Sequence, residues 1–519
     1  MEHSDKNLLT ANVSKLGPCW VPIYESPVGF NVQHFEAAML NIIHQPNINS
    51  TVIMRADILR ENVFDPDEGD TTFTSKIANE IPEFQTDDDS KLLLRDLKDI
   101  KVRQIPDVPD IQFTKRHEIV RRVIPRNPFK DYIINQTCLM LTDNKKNSLV
   151  VYIPHIDSVE ETPYYLPPVY GIGILYNDFK VSVHYLPFGF ETPNGKEFTL
   201  LKSMTEQDRP IRIALRLLST AAKHSQGRKA GYEKRVNHDL VVPQTNFQNQ
   251  YITLKKKYLD YFMNNWGEST DPRKHVFEDI AIAAFIIEYW KLNSFEPEKF
   301  EFRDLGCGNG LLVHILILEG YKGKGIDARA RKSWALYPSE VQNCLLEQII
   351  VPQILLDQQP MPSDVAASIQ KQQISTTAEF PKNTFIIGNH SDELSCWVPL
   401  LGYPFIVIPC CSFGINGVRK RYPPRKNMAY KTPPSTYKAL VDHVEDIALM
   451  NGWLVQKEML RIPSTRNAAI MSCKKIPVLT NEPEHIKRIR LLDIIALEGG
   501  ADGWVENSIN LMKSEPKKH

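Results

Sequence analysis

The chain has no excess charge of either sign. Its 519 residues carry 62 lysines and arginines against 62 aspartates and glutamates, so global charge selects no partner and only local clusters can. The eight cysteines, at 19, 138, 307, 344, 396, 410, 411 and 473, show no Cys-x-x-Cys spacing. That removes a zinc framework and a disulfide-stapled scaffold, so no metal is expected and a reducing, cytoplasmic setting is. No run of 18 apolar residues occurs and Met1 to Lys15 is polar, so neither a membrane span nor a signal peptide is expected. Glycine is sparse at 24 residues, which makes three glycines at alternate positions stand out.

Those glycines sit in Asp304-Leu305-Gly306-Cys307-Gly308-Asn309-Gly310, after the apolar-leaning Phe300 to Arg303 and before the amphipathic Leu311 to Glu319. The pattern predicts a strand ending in an acid, a loop whose backbone lies against a ligand, and a helix. A dinucleotide fingerprint would place its third glycine one residue later, where Leu311 stands; its purpose is to bring helix amides to a pyrophosphate. S-adenosylmethionine has no phosphate, and an acid such as Asp304 suits its ammonium group. Lys322 to Asp327 then reads as a short strand ending in a second acid, about 20 residues past the glycines, where ribose hydroxyls of a nucleoside cofactor are held. The expected cofactor residues are Asp304, Gly306, Cys307, Gly308, Asn309, Gly310, Asp327, Ala328 and Asn389.

Pattern along the chain divides it into four parts. Residues 1–204 read as a mixed α+β region, partly loop, with an acidic stretch at Asp87-Asp88-Asp89 and strands at Leu149 to Ile153, Val169 to Tyr176 and Val181 to Leu186. Residues 205–295 turn helical: Ile211, Leu215, Leu218 and Ala222 recur at helical steps, and Val276 to Leu292 is nearly all apolar, a core helix rather than a functional one. Residues 296–480 alternate strand and helix. Strands are expected at Asn383 to Gly388, Tyr403 to Pro409, Trp453 to Met459 and, antiparallel, Asn467 to Cys473, with a helix over Thr436 to Met450. Val341 to Asp357 holds either a third strand near Ile349 to Ile354 or a helix. Residues 481–519 are a helix and a charged tail. The fold class expected is α/β, a class I S-adenosylmethionine-dependent methyltransferase with a Rossmann-like, mostly parallel sheet, plus the N-terminal α+β region.

Two strand ends place polar groups at the carboxyl edge, where such sheets bind ligands. Gly388-Asn389-His390-Ser391-Asp392-Glu393 flanks the expected methyl, with a helix predicted over Glu393 to Leu401; Ile408-Pro409-Cys410-Cys411-Ser412 is the second. A Pro-Cys strand end raises a rival, in which a Cys411 thiolate attacks C6 of a pyrimidine before methylation at C5. Charge clusters point to the acceptor. Between Pro210 and Phe262, Arg212, Arg216, Lys223, Arg228, Lys229, Lys234, Arg235 and Lys255 to Lys257 outnumber three acids, with Tyr232, Tyr251, Tyr258 and Tyr261 among them. A second basic loop runs from Arg419, Lys420 and Arg421 through Arg425, Lys426 and Lys431. Cations interleaved with aromatic rings suit RNA with unstacked bases.

These motifs, together with Arg126-Asn127-Pro128, Tyr164 to Pro168, Glu319 to Asp327, Arg329 and Arg331 to Trp334, resemble the fungal and animal tRNA (uracil-2′-O)-methyltransferases that modify uridine 44 of serine tRNA. The resemblance spans about residues 120 to 475. It implies an S-adenosylmethionine-dependent enzyme that methylates a ribose 2′-hydroxyl within serine tRNA. Some animal members carry a C-terminal Cys/His finger that is not found here. No Lys-Asp-Lys-Glu tetrad is recognisable, and the candidates are His390 or Asp392 as base with Arg419 or Lys420 placing a phosphate. A methyltransferase fold kept only for RNA binding is the non-enzymatic alternative, and a helper protein is left undetermined.

Overall fold

The computed structural model describes residues 7–65, 72–78, 93–95, 97–143, 146–192, 194–232, 238–357, 363–371, 373–425, 435–480 and 482–513. The acidic stretch at 87–89, Lys234, Arg235, Lys426 and Lys431 lie outside them. The chain forms two compact units, Met1–Glu233 and Lys234–His519.

The first unit is built on β1 (Asn7–Leu8), β2 (Val21–Pro27), β3 (Ile53–Phe64), β4 (Thr72–Ile77), β5 (Thr114–Pro125), β6 (Ile134–Thr142), β7 (Asn147–Pro154), β8 (Gly171–Asn177) and β9 (Lys180–Leu186), with α1 (Val32–His44), α2 (Lys196–Ser203) and α3 (Arg209–Lys229). The strands form one antiparallel sheet in the order β1-β2-β9-β8-β7-β6-β5-β3-β4. Phe35, Met39 and Ile42 of α1 and Ile211, Leu218 and Ala221 of α3 pack with Val21, Ile174 and Val183 of the sheet. Leu16, Trp20, Leu149 and Val151 form a second cluster, covered by Val102, Ile105, Val108 and Phe113. The expected strands in the region of β7, β8 and β9 are present, whereas β3 and β5 occupy sequence too charged to read as strand. In β5 two of the buried cations are met by neutral oxygens: Arg121 donates to Gln136 Oε1 at 2.7 Å, and Arg122 to the carbonyl of Leu97 at 3.1 Å.

The second unit starts with α4 (Gln244–Asn264) and α5 (Pro272–Leu292) and continues through β10 (Glu301–Leu305), α6 (Leu311–Leu318) and β11 (Gly323–Asp327). After α7 (Ser339–Gln342) come β12 (Leu345–Glu347), β13 (Ile349–Val351), α8 (Gln353–Leu356), α9 (Ser363–Gln370) and β14 (Ile374–Thr376). The chain then runs through β15 (Thr384–Asn389), β16 (Phe405–Ile408), α10 (Thr436–Met450), β17 (Gln456–Met459), β18 (Ala468–Ser472), α11 (Pro477–Thr480), α12 (Glu484–Leu497) and α13 (Trp504–Lys513). Seven strands form a sheet in the order β12-β11-β10-β15-β16-β18-β17; β18 alone runs against its two neighbours. Side chains of α4, α5 and α6 join one core against it, and those of α10, α12 and α13 another.

Three expectations change. The third strand of the sheet is Leu345–Glu347, while Ile349–Val351 pairs with Ile374–Thr376 in a separate two-stranded sheet. The helix expected over Glu393 to Leu401 is two 3₁₀ turns, Asp392–Leu394 and Val398–Leu400, because Pro399 denies a continuous helix its hydrogen bond. The helical part expected over 205–295 is divided: α3 packs in the first unit, and α4 and α5 contribute Leu254, Phe262, Ile280 and Trp290 to the core of the second.

Candidate active site

β10 delivers Asp304 to the carboxyl edge, and the loop then turns sharply. Gly306 has φ 79° and Gly310, capping α6, has φ 75°. A Cβ at Gly306 would lie 3.1 Å from Cβ of Ser391, and one at Gly310 3.0 Å from Cδ2 of Leu345, so both backbone sign and space demand glycine there. The loop is braced from outside by Trp334, whose indole N–H donates to the carbonyl of Gly308 at 2.9 Å, and by Ser333 and Tyr337, which both donate to the carbonyl of Asn309. Glu268 in turn accepts the Ser333 backbone N–H at 3.0 Å.

Asp327 closes β11 beside this loop. Its carboxylate accepts the Gly308 N–H at 2.9 Å and the Arg329 N–H at 3.1 Å, with Arg331 3.7 Å away. A cavity of about 220 Å³ opens here, walled by Gly306, Gly308, Asp327, Ala328, His390 and Asp392. Trp504, Ser508 and Leu511 of α13 form its opposite side, and the Trp504 indole N–H donates to the carbonyl of Ile350 at 3.0 Å. Nothing in the charged C-terminal sequence marked that wall in advance.

Asp304 and Asn389 lie deeper, with residues that the sequence did not single out. Asp304 is 1% exposed and its Oδ1 has no hydrogen-bond partner. Asn389 Nδ2 donates to Oδ1 of Asp279 at 3.2 Å, and His390 Nε2 lies 3.1 Å from Oε1 of Glu278. Both acids belong to α5, the helix read as core. They fall inside the run Val276 to Leu292 that reads as nearly all apolar, and two acids nearly two turns inside a helix carry no ligand signal of their own. Burial, then the neighbouring Glu278 charge, pushes the Asp279 carboxyl up to about 7. Burial with the Asp279 and Asp327 charges likewise raises Asp304 well above the usual carboxylate range, and Cys307 beneath the loop is raised for similar reasons. The orphaned oxygens of Asp304, Asn389 and Ser391, in a pocket whose buried acids repel one another, suit a ligand that brings a positive charge and hydrogen-bond donors.

The second strand end meets the first. His390 and Asp392 have φ 52° and 41°, a conformation uncommon for non-glycine residues. Cys410 Sγ donates to Oδ1 of Asp392 at 2.8 Å. Burial and the Asp392 carboxylate raise both the Cys410 and Cys411 thiols, the reverse of what a nucleophilic thiolate needs. Arg419 is exposed and lines a neighbouring cavity of about 340 Å³ with Glu393, Trp504 and Asn507. The Lys420 ammonium is held by Glu498, through its carbonyl at 3.0 Å and carboxylate at 3.5 Å, and Arg425 is bound by Glu445 and Asp446. Of the tyrosines expected to interleave with cations, Tyr258 is buried and Tyr251 packs on Phe247, so neither offers a ring to a base.

Glycine loop, two strand-end acids and parallel sheet define an S-adenosylmethionine-dependent methyltransferase. A family described as "Predicted AdoMet-dependent methyltransferase" matches residues 241–352, and one described as "TRM44-like, N-terminal bet v1-like domain" matches 2–235. Over its length the chain is 53% identical to a tRNA (uracil-O(2)-)-methyltransferase of Debaryomyces hansenii, covering 99% of this chain and 98% of the relative. Proteins of the same name from Saccharomyces cerevisiae and Schizosaccharomyces pombe are 45% and 34% identical, over 100% and 96% of this chain and 97% and 94% of theirs. The chain belongs to the tRNA (uracil-O(2)-)-methyltransferase family.

Proposed function

We propose that this protein methylates the ribose 2′-oxygen of a uridine in tRNA, uridine 44 of serine tRNA, and that its second unit is a class I, Rossmann-like methyltransferase domain. The observation that carries the chemistry is the meeting of Glu278 with His390 at the rim of the cofactor cavity, 3.1 Å apart. Bound S-adenosylmethionine supplies an electrophilic sulfonium methyl. Asp304 and Asp279 favour its cationic amino acid part, and Asp327 its ribose. A 2′-hydroxyl attacks only when its proton has somewhere to go. With its Nε2–H directed to Glu278, neutral His390 keeps Nδ1 free to accept that proton, and Glu278 stabilises the imidazolium that results.

RNA binding is supported by charge on α3. Arg212, Arg216 and Lys223 are exposed and recur at helical spacing opposite the buried Ile211, Leu218 and Ala222. Such a stripe tracks phosphates. The raised Cys410 and Cys411 thiols favour ribose over base chemistry. The eight free cysteines suit a reducing compartment, the cytoplasm.

Incubating the purified protein with labelled S-adenosylmethionine and a serine tRNA transcript tests this reading. Nuclease digestion should release labelled 2′-O-methyluridine, and Glu278→Gln or His390→Ala should cut turnover by about 10²–10⁴-fold with cofactor affinity kept. Label in another nucleoside, or full activity in both variants, would refute it.

A further inference from the structure

A cavity of about 1300 Å³ in the methyltransferase unit lies away from the donor pocket. It is walled by residues just before β15 and β16, among them Lys382 and Tyr403, by Lys474 and Lys475 just after the antiparallel β18, and by Lys487 and Arg488 of α12. All three strand positions fall at the amino edge of the sheet, opposite the edge that carries Asp304 and Asp327. Six residues of β15 separate the edges, a distance of about 20 Å.

Five cations line this cleft against two acids, and both acids are already paired: Asp357 is 2.6 Å from Arg488 and Glu484 3.3 Å from Lys487. Among the described residues no carboxylate stands within ion-pair distance of Lys382, Lys474 or Lys475. Lys475 is the most telling. It is half-buried, with its ammonium over the Trp453 ring at 4.8 Å. Burial, together with Arg490 and Lys487, depresses its pKa to about 8 against the opposing, weaker pull of Glu482 and Glu484. A solvated basic face does not press a lysine into a concave wall beside other cations, because it must then be desolvated with no carboxylate close enough to pair with it. An anion relieves that arrangement.

We propose that this amino-edge cleft holds backbone phosphates of a tRNA segment remote from the methylated ribose. The inference rests on the tRNA reading above. An RNA strand is favoured because the cations are spread along a cleft larger than the roughly 300–1,000 Å³ of small-molecule sites, and because several nucleotides span the separation of the edges. The cleft would thus fix the orientation of the substrate while the carboxyl edge performs the transfer.

Tests use the full chain with Lys382→Glu/Lys474→Glu, both exposed positions, and separately Lys475→Met, which keeps an apolar stem over Trp453. Serine tRNA affinity should fall about tenfold or more in the double variant. Its log–log salt dependence should flatten by about 0.7–0.9 for each phosphate no longer neutralised, with unchanged S-adenosylmethionine affinity and melting temperature. Unchanged tRNA affinity and salt slope in folded, cofactor-binding variants would overturn the proposal. So would variants that lose thermal protection by pyrophosphate but bind tRNA normally, which would make the cleft a small-ligand site. Neither result depends on which nucleotide the wild-type protein methylates, so this inference and the functional reading fail separately.

Discussion

Asp279 ties the protonation of the site to cofactor binding. Its carboxyl faces Glu278, Asp304, His390 and the Asn389 amide, and burial with the first of these raises it to about 7 in the free protein. A cationic ligand requires the charged form, so binding below that value must expel a proton. The Asp279 contribution to S-adenosylmethionine affinity is therefore expected to fall up to tenfold per pH unit below about pH 7. Titration calorimetry in buffers of different ionisation enthalpy reads the proton directly; an affinity that stays constant from about pH 5 to about pH 8 would remove Asp279 from the donor site. The same carboxyl works against folding as it ionises. The folded state holds a proton that the unfolded chain releases near its ordinary value of 3.8, so its contribution to stability declines as pH rises from there to about 7. None of this was legible beforehand, because Asp279 reaches the site by the packing of α5 and not by any spacing to the glycine loop. Asp304, Gly306, Gly310 and Asp327 were legible, since a strand, a turn of forced handedness and a helix start are all local events.

Among the elements, α13 changes standing most. The C-terminal sequence suggested one helix and a charged tail, yet Trp504 packs on Trp397 with ring centroids 5.6 Å apart, bonds the carbonyl of Ile350 and walls the cavity beside the glycine loop. Trp504→Ala should cost about 3–5 kcal/mol of stability and weaken S-adenosylmethionine binding even where the protein remains folded. Denaturant titration paired with calorimetry separates the two effects, and a destabilised variant with intact cofactor affinity would take α13 out of the pocket. The strands show the other limit of sequence patterning. β15, β16 and β18 are short apolar runs bounded by turn residues and were readable. β5 carries Lys115, Arg116, Glu118, Arg121 and Arg122 within one strand, and partners on the neighbouring strand, in a loop and along β5 itself, such as Gln136, Leu97 and the Lys115–Glu118 pair, make that tolerable. The third strand of the methyltransferase sheet, three residues long, was displaced in the reading by the more apolar Ile349–Val351 beside it.

At the scale of the molecule, the chain divides into a nine-stranded antiparallel unit and a unit whose residues 241–352 match the AdoMet-dependent methyltransferase family. The division falls near residue 233, because α3 buries its apolar face against the first sheet while α4 and α5 bury theirs against the second. Helical periodicity is alike on both sides of that point, so a sequence pattern groups what packing separates. The strand, glycine loop and helix start at Asp304 to Leu311 were readable from local sequence; the acceptor half of the proposed reaction rests on Glu278, His390 and surface charge. It is tested most directly by replacing uridine 44 of a serine tRNA transcript with 2′-deoxyuridine, which removes one oxygen and leaves the base intact. Methyl transfer by the purified protein should vanish while tRNA binding persists. Continued transfer to the deoxy substrate would show that the methyl goes elsewhere, and would contradict the account.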